Sequence, residues 1–418
     1  MAKFIIKGGQ KLAGEISVMG AKNAVLPIMC ATILAKGEFI LNNVPNLRDV
    51  DTMCRLLERL GLKVEKIADH SYKITNNGLT SVEAPYDLVS EMRASFTVMG
   101  PLLASQKQAK VALPGGCAIG ARAVDQHLKG FELLGAQVQT EHGFIEAKTS
   151  NLLGNKIVFD FCSVGATENI MMAAVLAEGE TIMENSAKEP EIVDLGNFLI
   201  SMGAKIQGLG TDKIIINGVK ELKACEYQIM PDRIEAGTYA IMSLITGGNL
   251  KIRNFDLEAL PGFVAKLKEM GAEFKEDYDL VSVSGDLAIL KNIRIDTMPH
   301  PGFPTDLQPQ MMVLLSLLNG TSEIKETIFS NRFMHVPELN RMRAEITAED
   351  RVAIINGKVN FSGTEVNATD LRAGMAVVLA GLVAENTTTV NHIKHIERGY
   401  EDLVSRLKLL GANIERVD

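Results

Sequence analysis

The chain has 418 residues, with 43 Lys plus Arg against 51 Asp plus Glu, a formal charge of −8, and 46% hydrophobic residues. That length predicts two or three domains and that composition a folded globular chain, while the acidic balance and 5% aromatic content argue against a nucleic-acid-coating protein. Phe4 to Ile6 is too short for a signal-peptide core, and stretches such as Ala376 to Ala384 fall short of the roughly 18 residues that span a bilayer, so no membrane association is expected.

In chain order, Lys3-Phe-Ile-Ile-Lys-Gly opens as a strand closing on glycine. Ala24 to Leu34 predicts a buried helix, Glu38 to Val44 a strand, and Tyr72 to Thr75 another. Between them Met53, Leu56, Leu57 and Leu60 share one helical face, with Asn46 as the expected cap. That helix stops at Gly61, and its ending recurs: Arg59-Leu-Gly-Leu-Lys-Val, Leu133-Leu-Gly-Ala-Gln-Val, Ser201-Met-Gly-Ala-Lys-Ile, Glu269-Met-Gly-Ala-Glu-Phe and Leu409-Leu-Gly-Ala-Asn-Ile. The glycines Gly61, Gly135, Gly203, Gly271 and Gly411 are spaced by 74, 68, 68 and 140 residues, and Arg341-Met-Arg-Ala-Glu-Ile fills the long gap with Arg343 in the glycine slot.

Physically, the phrase is a helix stop feeding a strand, with glycine in the left-handed conformation. Each unit also predicts an earlier, more apolar helix: Ile170 to Ala177, Ala236 to Ile245, Met311 to Leu318 and Ala373 to Val383. Met171, Met172, Met311 and Met312 on these helices read as core filler. Strands closing on glycine follow, as in Lys213 to Gly218, Leu280 to Gly285 and Val352 to Gly357. Six units of about 70 residues therefore predict an α/β fold of six repeated βα subdomains, three per domain. The sixth unit lacks its closing strand, which the N-terminal strand is expected to supply. The expected domains are residues 21–230, and residues 1–20 plus 231–418.

Cations and glycines recur at the strand-to-helix junctions: Gly20-Ala-Lys22-Asn23, Pro114-Gly-Gly-Cys117-Ala-Ile-Gly-Ala-Arg122, Ser163-Val-Gly-Ala-Thr-Glu-Asn169, Gly302-Phe-Pro-Thr-Asp306 and Thr369-Asp-Leu-Arg372. Helix N-termini with free N–H groups beside Lys or Arg suit a polyanionic substrate. Neither a Walker A loop nor a GxGxxG fingerprint is present. Five cysteines, Cys30, Cys54, Cys117, Cys162 and Cys225, form no CxxC pair and show no metal-ligand spacing, which reads as free thiols of a reducing cytoplasm. Cys30 and Cys54 read as small buried hydrophobes. Cys117 alone sits in a glycine-rich loop, where Arg122 and a following helix N-terminus would activate it. His392 and His395 in HIKHIE are read as strand residues, not metal ligands.

The strings GAKNA, EMRAS, LPGGCAIGAR, SVGATEN, EPEIVDL, PDRIEAGTY, HPGFPTD, NRFMHVPEL, ATDLRA and ERGYE together resemble the UDP-N-acetylglucosamine 1-carboxyvinyltransferase family. The resemblance spans essentially the whole chain. It implies a two-domain inside-out α/β barrel with pseudo-threefold symmetry. It also implies transfer of enolpyruvyl from phosphoenolpyruvate to the 3′-hydroxyl of UDP-N-acetylglucosamine, through a tetrahedral ketal, without metal or organic cofactor. This is the first committed step of peptidoglycan synthesis, so links to cell shape and division and sensitivity to fosfomycin are implied as well.

By the same resemblance, Lys22, Arg122 and Arg398 hold the donor's phosphate, and Arg332 and Arg372 lie near its carboxylate. Asp306 takes the proton of the sugar hydroxyl, Asp370 lies near the reacting methylene, and Cys117 acts as general acid or in product release. Asn23, Arg93, Ala123, Val124, Asp125, Gln126, Ser163, Val164, Gly165 and Ile328 contact the sugar nucleotide or shape its pocket. The domains are expected to close on the substrates, with the Leu113 to Arg122 loop as a lid. For an isolated arginine the plainer reading is a salt bridge, and for Asp370 a helix cap.

The chain departs from the family at Ala123, where proline is common, and at Phe161-Cys162, where some members place a nucleotide-contacting lysine. A 5-enolpyruvylshikimate 3-phosphate synthase is the nearest rival, and it lacks a loop of the PGGCAIGAR type. A catalytically silent regulatory relative is the other; the full set Lys22, Cys117, Arg122, Asp306, Arg372 and Arg398 argues against it.

Overall fold

The computed structural model describes residues 2–113 and 124–418, so Cys117, Arg122 and Ala123 lie outside the described residues. Two compact units divide them: residues 2–19 with Pro231–Asp418, and residues 20–113 with 124–230. Each unit has its own hydrophobic core.

Six helices carry those cores: α1 (Lys22–Ala31), α2 (Met99–Gln106), α3 (Val164–Ala174), α4 (Arg233–Ile245), α5 (Gln308–Leu317) and α6 (Leu371–Val383). They are apolar nearly all round, so packing cannot be confined to one stripe. In α6 every residue from Arg372 to Leu382 is buried, and in α5 every residue from Gln308 to Ser316. The sheets alternate instead, as in Lys3–Lys7 and Lys213–Asn217, with one face buried and one facing water. Helices inside and sheets outside is the arrangement that these two patterns impose on each unit.

Among the described residues, all six sheets have four strands and one pattern, a parallel pair followed by two antiparallel pairings. In one of them Lys3–Lys7 lies between Thr387–Asn391 and Asn413–Val417, antiparallel to both, with Phe4 opposite Val390 and Arg416. Ala13–Ser17 adds in parallel to Asn249–Arg253. The N-terminal segment thus contributes to two sheets of the unit formed mainly by Pro231–Asp418.

The helix stops behave as the repeat requires. Gly61, Gly135, Gly203, Gly271 and Gly411 have φ between 92° and 107°, and Arg343 takes φ 72° in the same slot. At Gly61 the turn is closed by Gly61 N–H to Glu58 O and Leu62 N–H to Leu57 O; at Arg343 the matching bonds run from Arg343 to Asn340 O and from Ala344 to Leu339 O. The turn is preserved, and the side chain there carries a left-handed strain of about 1–2 kcal/mol.

Three local expectations need correction. The helix Arg48–Leu60 has Leu47, not Asn46, at its N-cap position; the Asn46 amide donates to Asp69 and its oxygen accepts from Lys66. HIKHIE is not a strand: Ile393–Arg398 is a 3₁₀ helix, entered through His392 at φ 57°. Cys54 is only partly buried, unlike Cys30.

Candidate functional site

Each central helix of the Pro231–Asp418 unit is preceded by an aspartate: Asp232, Asp306 and Asp370. Two of the three are ordinary caps. Asp232 accepts from the Ile234 and Glu235 amides at 2.8 and 3.1 Å, and Asp370 from the Arg372 and Ala373 amides at the same two distances. Asp306 differs because a single 3₁₀ turn, Thr305–Leu307, intervenes before α5, and neither that turn nor α5 has a side-chain cap. Released from capping, its carboxylate takes one arginine on each oxygen: Arg332 Nη2 donates to Oδ1 at 2.8 Å and Arg372 Nη2 to Oδ2 at 3.1 Å.

The electrostatics are lopsided. The side chains of Arg332 and Arg372 are 3% and 5% exposed, whereas Asp306 is 28% exposed, so two buried cations end on one solvent-facing carboxylate. Burial alone would push the Arg372 guanidinium down, but Asp306 and Tyr400 more than reverse this, and it stays charged. Tyr400 presents its ring to Arg372 at 5.8 Å, and its hydroxyl lies 2.9 Å from Thr238 Oγ1 and 3.4 Å from both Arg372 Nη1 and Gln310 Nε2. Arg332 lies 5.7 Å from the Phe329 ring, and half-buried Ile328 is that residue's neighbour. Arg398 ends the 3₁₀ helix Ile393–Arg398; burial, then Lys394 and Arg398, hold the His395 imidazole below its ordinary range. Asp306, Arg332 and Arg372 are thus brought together, while Asp370 takes the capping role.

In the other unit, Lys22 is the first residue of α1, where a cation opposes the helix dipole. Asp49 offsets it, with Oδ2 3.0 Å from Nζ and its own side chain 4% exposed. Asn23 is half-buried beside it. Val124 precedes the helix Asp125–Leu133. Gln126, buried, is joined to Asp160 in both directions: its Nε2 donates to Oδ2 and its Oε1 accepts the Asp160 amide, each at 2.9 Å. Ser163 caps α3 by accepting the Ala166 amide, which leaves Val164 and Gly165 in the first turn.

His127 joins these pieces and was not foreseen. Asn169 accepts the Gly100 amide on Oδ1, so its Nδ2 faces His127 Nδ1 at 2.9 Å. The imidazole must therefore accept at Nδ1 and carry its proton on Nε2. Burial, then the neighbouring Arg93, pushes its pKa down to about 3, so the ring is neutral. A Cβ at Gly165 would meet this ring at 3.3 Å, so a larger residue there would press on the imidazole. Asn169 stood in the SVGATEN string, but nothing in the sequence linked it to His127 or Asp49 to Lys22.

Among solved structures, the fold is that of the enolpyruvyl transferases. The enolpyruvyl transferase NikO from Streptomyces tendae matches with a TM-score of 0.91 at 23% identity, over 100% of this chain and 99% of that one. An EPSP synthase from Acinetobacter baumannii matches with a TM-score of 0.76 at 20% identity, over the full length of both. The chain belongs to the EPSP synthase (3-phosphoshikimate 1-carboxyvinyltransferase) family, whose profile matches residues 6–407. Within it, the chain is 54% identical to UDP-N-acetylglucosamine 1-carboxyvinyltransferase 2 of Carboxydothermus hydrogenoformans, over 100% of both chains. It is 52% identical to UDP-N-acetylglucosamine 1-carboxyvinyltransferase of Geotalea uraniireducens, again over 100% of both. No helix among the described residues is long and apolar enough to cross a membrane.

Proposed function

We propose that the protein transfers the enolpyruvyl group of phosphoenolpyruvate to the 3′-hydroxyl of UDP-N-acetylglucosamine and releases phosphate, the committing step of peptidoglycan synthesis in the cytoplasm. The observation that carries this reading is full-length identity above one half to relatives named for that reaction. The Asp306 cluster supplies its chemistry.

The hydroxyl oxygen attacks C2 of the donor as its proton passes to Asp306 and the Cys117 thiol, as general acid, gives its proton to C3, forming a tetrahedral ketal. Phosphate then leaves C2 as a C3 proton returns to the Cys117 thiolate, restoring the double bond, and the Asp306 proton is released with the products. A carboxylate stabilised by two guanidiniums is a weak base. The donor's carboxylate would compete for Arg332 and Arg372, and this exchange raises the proton affinity of Asp306 as the substrates assemble. Lys22, Arg122 and Arg398 bind the donor's phosphate, fixed cations that supply orientation before the reaction. Asp370 lies toward the methylene, with one oxygen already held by the α6 amides. Asn23, Arg93, Ala123 to Gln126, Ser163 to Gly165 and Ile328 line the sugar-nucleotide side.

The decisive assay is phosphate release from phosphoenolpyruvate with each acceptor alone. Release with UDP-N-acetylglucosamine and not with shikimate 3-phosphate is expected. The opposite pattern would overturn the assignment in favour of the family's other activity.

Cys117 is assigned the reactive thiol, and its rivals are poor nucleophiles. Burial raises the Cys54 thiol to about 12 and Cys162 to about 11, and lifts Cys30 and Cys225 as well. Less than about one per cent of any thiol with a pKa of 11 or above is thiolate at pH 7. Fosfomycin, an epoxide carrying a phosphonate, should therefore label Cys117 first, with loss of activity. Peptide mass spectrometry after limited labelling checks this; inactivation with the adduct on another cysteine refutes the assignment.

A further inference from the structure

Bonded to Thr305, the residue before Asp306, is a carboxylate that the reaction itself does not use. Glu326 follows the strand Gly320–Lys325 and is 1% exposed. Its Oε1 accepts the Thr297 hydroxyl at 2.9 Å and the Ile328 and Phe329 amides at 2.8 and 3.1 Å. Its Oε2 accepts the Thr305 hydroxyl at 2.8 Å. Four donors from three chain segments thus converge on one buried side chain.

Those segments are the ones from which the cluster projects. Thr305 immediately precedes Asp306, and the Thr305 carbonyl accepts from Arg332 Nη2 at 3.4 Å. The Ile328–Phe329 turn leads into Arg332, whose guanidinium lies against the Phe329 ring. Thr297 is bound a second time from the same turn, its hydroxyl oxygen accepting the Thr327 amide at 2.9 Å and its carbonyl accepting the Thr327 hydroxyl. With no side-chain cap on α5 and only one 3₁₀ turn around Asp306, Glu326 adds a side-chain tie from this turn to the strand end, beside the Thr297–Phe303 bridge.

We infer that Glu326 is a positioning residue for the transfer reaction: by holding Thr305 and the Ile328–Phe329 turn together, it sets the Asp306–Arg332 geometry. The inference rests on Asp306 being the proton acceptor. Misplacing a catalytic group by about 1 Å can reduce rate about 10²-fold. A buried carboxylate that only filled space would have no reason to gather donors from both sides of the site.

The chemistry of the contacts predicts which substitutions are tolerated. In Glu326→Gln the amide oxygen can replace Oε1, which keeps the two backbone amides and the Thr297 hydroxyl. The new NH2 group then faces Thr305, whose hydroxyl can rotate to accept. Glu326→Ala loses all four bonds. Turnover of phosphoenolpyruvate and UDP-N-acetylglucosamine should fall about 100-fold in Glu326→Ala, while calorimetric affinity for the sugar nucleotide alone falls by no more than about tenfold, because Ile328 is the one residue of the held turn on that side of the site. Glu326→Gln should stay within about threefold of the parent in both.

A folded Glu326→Ala that turns over within threefold of the parent overturns the proposal, as does Glu326→Gln impaired as severely as Glu326→Ala. Should Glu326→Ala not fold, Thr305→Val removes the Oε2 bond alone. About tenfold slower turnover, recovered in Thr305→Ser, is then expected, and unchanged turnover in Thr305→Val overturns the proposal. Asp306→Asn separates the two layers. An active Asp306→Asn refutes Asp306 as proton acceptor; an inactive one beside a fully active Glu326→Ala refutes only the positioning role.

Discussion

Asp306→Ala should abolish turnover and destabilise the protein at the same time. Removing a general base typically lowers rate about 10²–10⁴-fold, and here the same side chain pairs with two arginines whose side chains are 3% and 5% exposed. Leaving buried charge without its partner costs about 3–5 kcal/mol; the 28% exposure of Asp306 places the expected loss near 3. Asp306→Asn should be intermediate in stability, because one amide oxygen can still accept from one arginine while the NH2 group faces the other as a second donor. Urea unfolding with an unchanged slope measures the stability change, and phosphate release measures the rate. A variant as stable as the parent would show that the arginines do not depend on Asp306. A stable and active one would mean that another group takes the proton.

Asp306 also shows where a sequence stops being informative. The repeat predicted six subdomains because a helix stop is a local event: a left-handed residue and two backbone bonds suffice, so even Arg343 keeps the pattern. Five of the six central helices were visible for a similar reason, since a helix apolar all round must be buried; the short Met99–Gln106 helix was not among them. Asp232, Asp306 and Asp370 looked alike in sequence, and only the extra turn Thr305–Leu307 separates the carboxylate that binds arginines from the two that cap helices. The pairs Lys22–Asp49, His127–Asn169 and Glu326–Thr305 join residues 27, 42 and 21 positions apart. No periodicity encodes such distances; they depend on how subdomain segments meet. Asn46 stands one residue before the N-cap Leu47, and the sequence could not show that its side chain also has tertiary partners, Asp69 and Lys66.

Deleting residues 1–9 should unfold the unit formed mainly by Pro231–Asp418 and leave the other unit intact. The deleted strand is not at an edge: Lys3–Lys7 pairs with Thr387–Asn391 on one side and Asn413–Val417 on the other. Its removal strips Asn413–Val417 of its partner and opens a new edge on Thr387–Asn391, leaving two rows of backbone groups unpaired. Phe4 and Ile6 are 2% and 0% exposed in that unit's core. Truncating such side chains to alanine costs about 3–5 and 2–5 kcal/mol respectively, so losing both approaches the roughly 5–15 kcal/mol that holds a domain folded. The other core is built entirely from residues Ala21 to Ile229 and contains nothing from the deleted segment. Limited proteolysis followed by mass spectrometry should therefore return a protected fragment within residues 20–230 and digest the remainder. The full-length Phe4→Ala, Ile6→Ala double variant tests the packing share separately, with a melting midpoint expected at least about 10 °C below the parent. A truncated chain that melts and turns over like the parent would mean that the sheet closes without its N-terminal strand.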